Sequence, residues 1–464
     1  MVDQRLKELR GPGRREFLKW SATVAACLGV ERSRFLNVIG ETAGTAAADS
    51  ASCANTALAI AMSAGNGGLS NFTQVFPFTK VIGSTNAAYS HYALGKGIPS
   101  VGYDKPFTHA PDSPWQAAGT KWKISAFMAG NNETHTGNAM SAVSLGANSM
   151  YASAAAIQQA NPTLLPVLSV GNITFGAAAG APAVAAVGAP NQLIDLFNSA
   201  ASKALLQAPE NGSLAEAYYK AFLGLNAAAG RTTVAKQYGT GKVSINLLSK
   251  NLAAQLTPTA ADQALFGLTG TTPGSVTNMS NAMITTVKAF SLGLTSMLLM
   301  PAWNDDPHGL FAGGDAAATV KAVAMGKMFN GLLDFAKSRP DPGCSSKTLA
   351  DRIVLGIHGD TFKAPFQRNG WGDGTPNGSS VLYVMGNGYL KTGWHGDMDP
   401  TAGASGWDQG TGETGGAYTG RGAELGASAA AGFLYAVAKG DMRRVRDFYN
   451  GKAIDGIVNI SVTG

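Results

Sequence analysis

Charge is scarce in this 464-residue chain: Asp, Glu, Lys and Arg make up 14% of it, against about 25% in an ordinary soluble protein. Cysteine is scarcer still, and Cys27, Cys53 and Cys344 share no C-x-x-C spacing, which argues against a cysteine-built zinc site. No unbroken apolar run approaches the ~18 residues of a membrane-spanning helix. No repeat of solenoid type is visible. The basic excess is slight: residues 1–48 carry 8 Lys/Arg against 5 Asp/Glu, and the remainder 27 against 24. That balance gives no basis for a nucleic-acid surface. What is abundant is glycine, 59 residues, and a weakly charged, small-residue chain of this kind resembles an exported protein more than a cytosolic one.

The N-terminus supports export more directly. Residues 11–30 read GPGRREFLKWSATVAACLGV, in which Arg14, Arg15, Phe17, Leu18 and Lys19 match the twin-arginine pattern R-R-x-F-L-K. Such a leader is an address read by the twin-arginine translocon, followed by a mildly apolar stretch. The small-residue run TAAADS places cleavage after Ala48. The competing VAAC box at 24–27 would instead put a lipid on Cys27. Once a leader is removed, Cys53 and Cys344 remain. An oxidising compartment would allow them to pair, but sequence alone does not give their separation.

Beyond residue 49 the pattern alternates between short apolar runs and helical periodicity. NTALAIAMSAGNGGLSN (55–71), KWKISAFMAG (121–130) and NPTLLPVLSVGN (161–172) read as buried strands leading into polar loops. Asn132 and Thr134 are candidate helix N-caps after the second run. Residues 190–290 carry amphipathic helical segments. AATVKAVAMGKMFNGLLDFAKS predicts a helix over 316–337, between strands at 295–302 and 352–358, and SSVLYVMGNG reads as a further strand. Strands separated by helices indicate an α/β fold with a mostly parallel central sheet covered by helices on both faces, plus a helical insertion at about 190–290. The strands at 55–64, 122–129, 295–302 and 352–358 are expected to be neighbours in that sheet. Residues 400–424, rich in Gly and Thr, read as a surface loop.

Polar residues collect where these strands end. The first strand gives Ser63 and Asn66; the second gives Asn131, Asn132, Thr134 and His135. MPAWNDDPHG supplies Asp305, Asp306 and His308, and IVLGIHGD supplies His358 and Asp360. Asp373 follows in GWGDG, and His395 and Asp397 in GWHGD. Ligands of α/β folds sit beyond the C-terminal ends of strands. Any one of these histidines is equally at home as a hydrogen-bonded loop residue; their shared position at strand ends is the stronger signal.

In order, Arg14–Arg15, SAGNGGLSN (63–71), Thr134–His135, AWNDDPHG (302–309), IHGDTFKAP (357–365) and NGWGDGTPNGSS (369–380) resemble the alkaline-phosphatase-like (sulfatase-like) superfamily. Within it, they resemble the twin-arginine-exported domain-of-unknown-function 1501 family. The resemblance is remote but spans nearly the whole chain. It implies an exported metal-dependent hydrolase of phosphate or sulfate esters. Thr134 would be the nucleophile, with His135 beside it. Asp306, His308, His358, Asp360 and Asp373 would be ligands of a divalent ion (zinc, calcium or magnesium), and Asn66, His395 and Asp397 additional candidates. No nucleotide cofactor is implied, and the substrate would be a small-molecule or polymeric ester. The chain also departs from that pattern. Asn66 and Gly67 stand where the family carries an Asp, His-Gly-Asp-Thr replaces a Glu and an Arg, and Asp373 has no histidine beside it. These departures support the alternative of a catalytically degenerate member of the fold, acting as an envelope binding or assembly protein.

Overall fold

The apolar runs become the strands of one sheet. A computed structural model describes residues 53–64, 98–99, 101–109, 121–133, 140–159, 163, 165–198, 252–302, 315–359, 378–399 and 403–460. The predicted leader and Cys27 lie outside them, as does the middle of the predicted helical insertion.

The principal strands are β1 (Leu58–Ala64), β2 (Lys123–Asn131), β3 (Val167–Val170), β4 (Val184–Val187), β5 (Met297–Pro301), β6 (Ile353–Gly359), β7 (Ser379–Gly386) and β8 (Gly393–His395). They form an eight-stranded sheet in the order β8-β2-β7-β6-β1-β5-β3-β4. Every pairing is parallel except those made by β7 with β6 and with β2. The other strands therefore all end at one edge of the sheet. LAIAMSA in β1 and IVLGIHG in β6 are apolar almost throughout and lie side by side at the sheet's centre. A parallel strand covered on both faces requires such continuous apolarity rather than alternation.

The principal helices are α1 (Met150–Gln158), α2 (Gly274–Ser291), α3 (Asp315–Lys337) and α4 (Gly422–Val437). Helix α1 runs back along β1. Tyr151, in its first turn, reaches the C-terminal edge, and the Gln158 amide at its other end donates to the Ala57 and Ser296 carbonyls at 2.8 and 3.0 Å. Helix α4 covers the same face. A Cβ placed on Gly356 of β6 would lie 2.7 Å from the Phe433 ring, so glycine is what lets the helix approach. The opposite face meets α3, where the Trp122 indole N–H donates to the Phe329 carbonyl at 2.9 Å.

Several expectations shift in detail. The helix predicted over 316–337 spans Asp315–Lys337. The strands predicted at 295–302 and 352–358 share a sheet, but β1 lies between them. The described parts of the predicted insertion are helices at Pro190–Asn198, Leu252–Leu256, Ala260–Leu265 and α2. The predicted surface loop at 400–424 instead holds strands Gly403–Trp407 and Thr414–Ala417, which with Asp397–Asp399 make a small antiparallel sheet. Its Trp407 and Tyr418 are fully buried. Glycine-rich composition misleads there because the glycines serve tight turns and close packing, as at Gly412 (φ +77°), whose absent side chain makes room for the Gly456 backbone.

The chain entry is pinned at the opposite edge of the sheet. Cys53 and Cys344 form a disulfide with their Cα atoms 4.4 Å apart. Next to it, buried Arg352 donates to the Asp341 carboxylate at 2.7 Å and to the Thr56 carbonyl at 2.9 Å. Lys439 closes the corner by donating to the Ala54 carbonyl.

Candidate functional site

The register at the centre of the sheet sets out the site. Ser63 on β1 is paired with His358 on β6 and with Pro301 on β5. The row continues from His358 to Leu382 on β7, Phe127 on β2 and His395 on β8. Among the sequence-predicted candidates, His358, His395 and Asp397 are described. Thr134, His135, Asp306, His308, Asp360, Asp373 and Asn66 lie outside the described residues. The strand ends that carry them do not: Ala64, Asn131, Pro301 and Gly359 all lie at the C-terminal edge, and β7 begins there.

His358 is buried at this edge, and its Nδ1 lies 2.8 Å from the Tyr151 hydroxyl. Ser63, paired with His358 across the sheet, lies near enough to the Tyr151 hydroxyl to lower its pKa. Tyr151 on α1 and His358 on β6 thus form one buried polar pair, with buried Ser63 of β1 beside them. Burial raises the Tyr151 phenol far above its ordinary range; the nearby Ser63 side chain opposes this, and the Glu133 charge adds to it. Tyr151 therefore stays a neutral hydroxyl that both donates and accepts. Helix α1 presents it here because Ser149 caps the helix, its Oγ accepting the Tyr151 backbone N–H at 3.2 Å.

Glu133 shapes the adjoining strand end. Its carboxylate accepts the backbone N–H groups of Met140 and Ser141, each at 2.7 Å. This ties together the two ends of the segment that contains Thr134 and His135. Gly130 has φ +86°, and a Cβ there would lie 2.7 Å from the Ala142 nitrogen, so only glycine lets β2 bend against residues 141–143. The Ser141 hydroxyl closes the corner by donating to the Asn131 carbonyl at 2.8 Å. The Asn132 backbone N–H donates to the Gly378 carbonyl; the helix that Asn132 or Thr134 was expected to cap lies outside the described residues.

His395 has different surroundings. It is fully buried, stacked on Phe127 with ring centroids 4.9 Å apart, and its two ring nitrogens face the carbonyls of Gly412 and Lys391. Burial, opposed by those carbonyls, pulls its pKa down to about 4. Strands β7 and β2 separate it from His358, three strand spacings or about 14 Å. The two imidazoles cannot share one ion. Asp397 accepts the Met398 backbone N–H and opens the small antiparallel sheet.

Among the described residues no three of His, Cys, Asp and Glu are grouped as a metal site requires; most candidate ligands lie outside that set. A cleft lined by Ser125, Val384, Asn387 and Tyr389 sits at the opposite edge of the sheet from His358, and its Ser125 donates to the Lys391 carbonyl that His395 also faces. Tyr151 and Glu133 were not among the sequence candidates. The signal for Tyr151 was a single tyrosine in the first turn of an Ala/Ser-rich helix, directly after a capping serine. Comparison with protein-family models, curated proteins and solved structures finds no match to this chain. Among the described residues no helix is long and apolar enough to cross a membrane.

Proposed function

We propose that the protein is an exported, metal-dependent hydrolase of phosphate or sulfate esters, with its chemistry at the C-terminal edge of the central sheet. The observation that carries this reading is His358: a histidine buried at a central strand end, with one ring nitrogen engaged by a buried hydroxyl and Asp360 two residues on. Metal-binding histidines almost always hold a hydrogen-bond partner at their second nitrogen, and the Tyr151 hydroxyl suits that role. Asp306, His308, His358, Asp360 and Asp373 would hold the ion, a donor set that suits zinc better than calcium or magnesium. Once bound, the ion supplies positive charge that polarises the ester and favours an ionised nucleophile. Thr134 provides the attacking hydroxyl, and His135 beside it moves the proton. The Glu133 carboxylate holds the ends of their segment in place.

Export is supported by two independent features, the Arg14–Arg15 leader and the Cys53–Cys344 disulfide. Disulfides persist in oxidising compartments and are rare in the cytosol. Replacing both arginines by lysine is expected to leave unprocessed precursor in the cytoplasm, because the translocon reads the pair as an address. Normal export of that variant would remove the leader from the argument.

A second reading, a degenerate binding or assembly protein of the same fold, is favoured by Asn66-Gly67 in place of an acidic residue and by Asp373 without a histidine neighbour. Metal analysis of the purified protein, with turnover of p-nitrophenyl phosphate and p-nitrophenyl sulfate, separates the two. Metal and turnover that are both lost in Asp306→Ala support the hydrolase. Metal-free protein that stays inert after zinc, calcium or magnesium is added supports the binding protein.

A further inference from the structure

We infer that the Cys53–Cys344 disulfide is a redox latch that closes on an already folded chain, because residues 54–57 are clamped by side chains that do not need it. A small thiol such as glutathione then opens and reseals the bond without unfolding the sheet. The inference goes beyond the hydrolase reading, and its test involves no metal.

The clamp takes four consecutive backbone carbonyls. Lys439 donates to that of Ala54 at 3.0 Å, Arg444 to Asn55 at 3.4 Å, Arg352 to Thr56 at 2.9 Å and Gln158 to Ala57 at 2.8 Å. Two amides are engaged as well: the Ala54 and Ala57 N–H groups donate to the Gly343 and Val437 carbonyls at 2.8 and 2.7 Å. The four side chains come from the turn after α4, the short helix Met442–Arg446, the residue before β6 and the end of α1. They converge only once those elements have packed, so the finished fold is what holds the strap. Lys439 carries a further sign of this role. Among the described residues it is the only non-glycine with positive φ, +51°. Glycine is the residue that suits such a conformation after a helix, and the ammonium on Ala54 is what lysine adds there.

Cys53 is exposed and Cys344 is buried, so an incoming thiolate attacks the Cys53 sulfur. A bond forms between the small thiol and Cys53, and Cys344 leaves as a thiolate that takes a proton from water. A second thiolate attacks the small thiol's own sulfur in that mixed disulfide. It releases the oxidised small-molecule disulfide and the Cys53 thiolate. Two small thiols are thereby oxidised, and the protein disulfide gains two electrons and two protons. While the bond is open the clamp keeps Cys53 beside Cys344. The cations held on the next two residues favour the thiolate that reseals it. A chain built this way folds as a dithiol in a reducing compartment and is latched in an oxidising one.

The test follows hydrogen exchange of the peptide spanning residues 54–58 in the full mature chain. It compares the oxidised protein, the protein reduced with excess glutathione, and Cys53→Ser with Cys344→Ser as a permanently open form. The open forms are expected to keep this peptide protected. Exchange there as fast as in unfolded chain, with the sheet still protected, would overturn the inference. Adding Lys439→Gly and Arg444→Met should speed exchange of the peptide about 10-fold or more in the open form and leave the oxidised form protected. Equal protection of the open form with and without these substitutions would overturn the clamp. Lys439→Gly alone, which eases the backbone while removing the ammonium, serves if the combination fails to fold. The rate at which glutathione opens the wild-type disulfide should stay flat in urea below the unfolding transition. A rate that climbs there in step with unfolding would mean that the bond opens only in unfolded chain, which would also overturn the latch.

Discussion

Ser63 and His358 are direct partners across the β1–β6 pair, and Ser63 is also the partner of Pro301 on β5. The strand ends leading to Asp306–His308 and to Asp360 therefore stand two strand spacings apart, about 10 Å, with β1 between them. An ion shared by the two segments must be reached from both sides across the end of β1. Asp306→Ala and His358→Gln are accordingly expected to remove the same ion, with the double variant no worse than either single one. Wild-type protein should gain about 3 kcal/mol of stability at zinc concentrations 100-fold above Kd, and neither variant should gain it. Chemical denaturation with and without zinc measures this. Additive losses would mean two separate sites.

The Cys53–Cys344 disulfide has a sequence separation of 291, and it secures the start of β1 to the segment that precedes β6. Cross-linking so long a loop restricts the unfolded chain, and replacing both cysteines by serine is expected to cost about 2–5 kcal/mol. The denaturation midpoint should fall in the double variant. A reducing agent should lower the wild-type midpoint and leave that of the variant unchanged.

Arg352 and Asp341 make an ion pair whose side chains are 6% and 2% exposed. Asp341→Ala would leave a guanidinium buried without its countercharge, which typically costs about 3–5 kcal/mol. Replacing the pair together, as Asp341→Leu with Arg352→Met, should cost less than Asp341→Ala alone, because no charge is then stranded. The Arg352 bond to the Thr56 carbonyl is lost in the double variant, so some cost remains. Urea titration of the three proteins provides the comparison.

The parts of the fold legible in the sequence were those set by local periodicity. Continuous apolar runs marked β1, β5 and β6, and the apolar stripe of 316–337 marked α3 to within a residue. Strand order was not legible. Nothing local in IVLGIHG says that β1, almost three hundred residues earlier, lies between it and β5, because that placement depends on long-range packing. The antiparallel direction of β7 was hidden for the same reason. At the candidate site, His358 was visible as a histidine closing an apolar run, but its partner Tyr151 comes from a helix 207 residues away. His395 looked equivalent in sequence, and only the stacking on Phe127 and the two facing carbonyls distinguish it.

Gly356 tests how closely α4 lies on the sheet. A methyl group there would press on the Phe433 ring, 2.7 Å away. Overpacking of a filled core costs about 1–3 kcal/mol. Gly356→Ala should lose stability in that range, and adding Phe433→Leu should recover part of it by opening space for the methyl. If the second substitution only adds to the loss, the helix is not held off by that ring.

His395 should make stability depend on pH in a defined window. Burial lowers its folded pKa to about 4, from an ordinary 6.5. The groups around it are the Gly412 and Lys391 carbonyls, the Phe127 and Trp407 rings, and the Lys105 and Lys391 charges, with Glu413 paired to Lys105. Between pH 6.5 and 4 the unfolded chain binds a proton that the folded chain does not. The contribution of His395 is therefore complete above about pH 6.5 and is lost as the pH falls through that window. By pH 5 the loss amounts to about 2 kcal/mol, at 1.36 kcal/mol for each unit. His395→Gln cannot titrate, so the fall in its unfolding free energy between pH 7.5 and 5, measured by chemical denaturation, should be smaller than that of the wild type by this amount. Equal falls in the two proteins would mean that the folded imidazole accepts a proton as readily as the unfolded one, and the carbonyls of Gly412 and Lys391 would then be holding a cation.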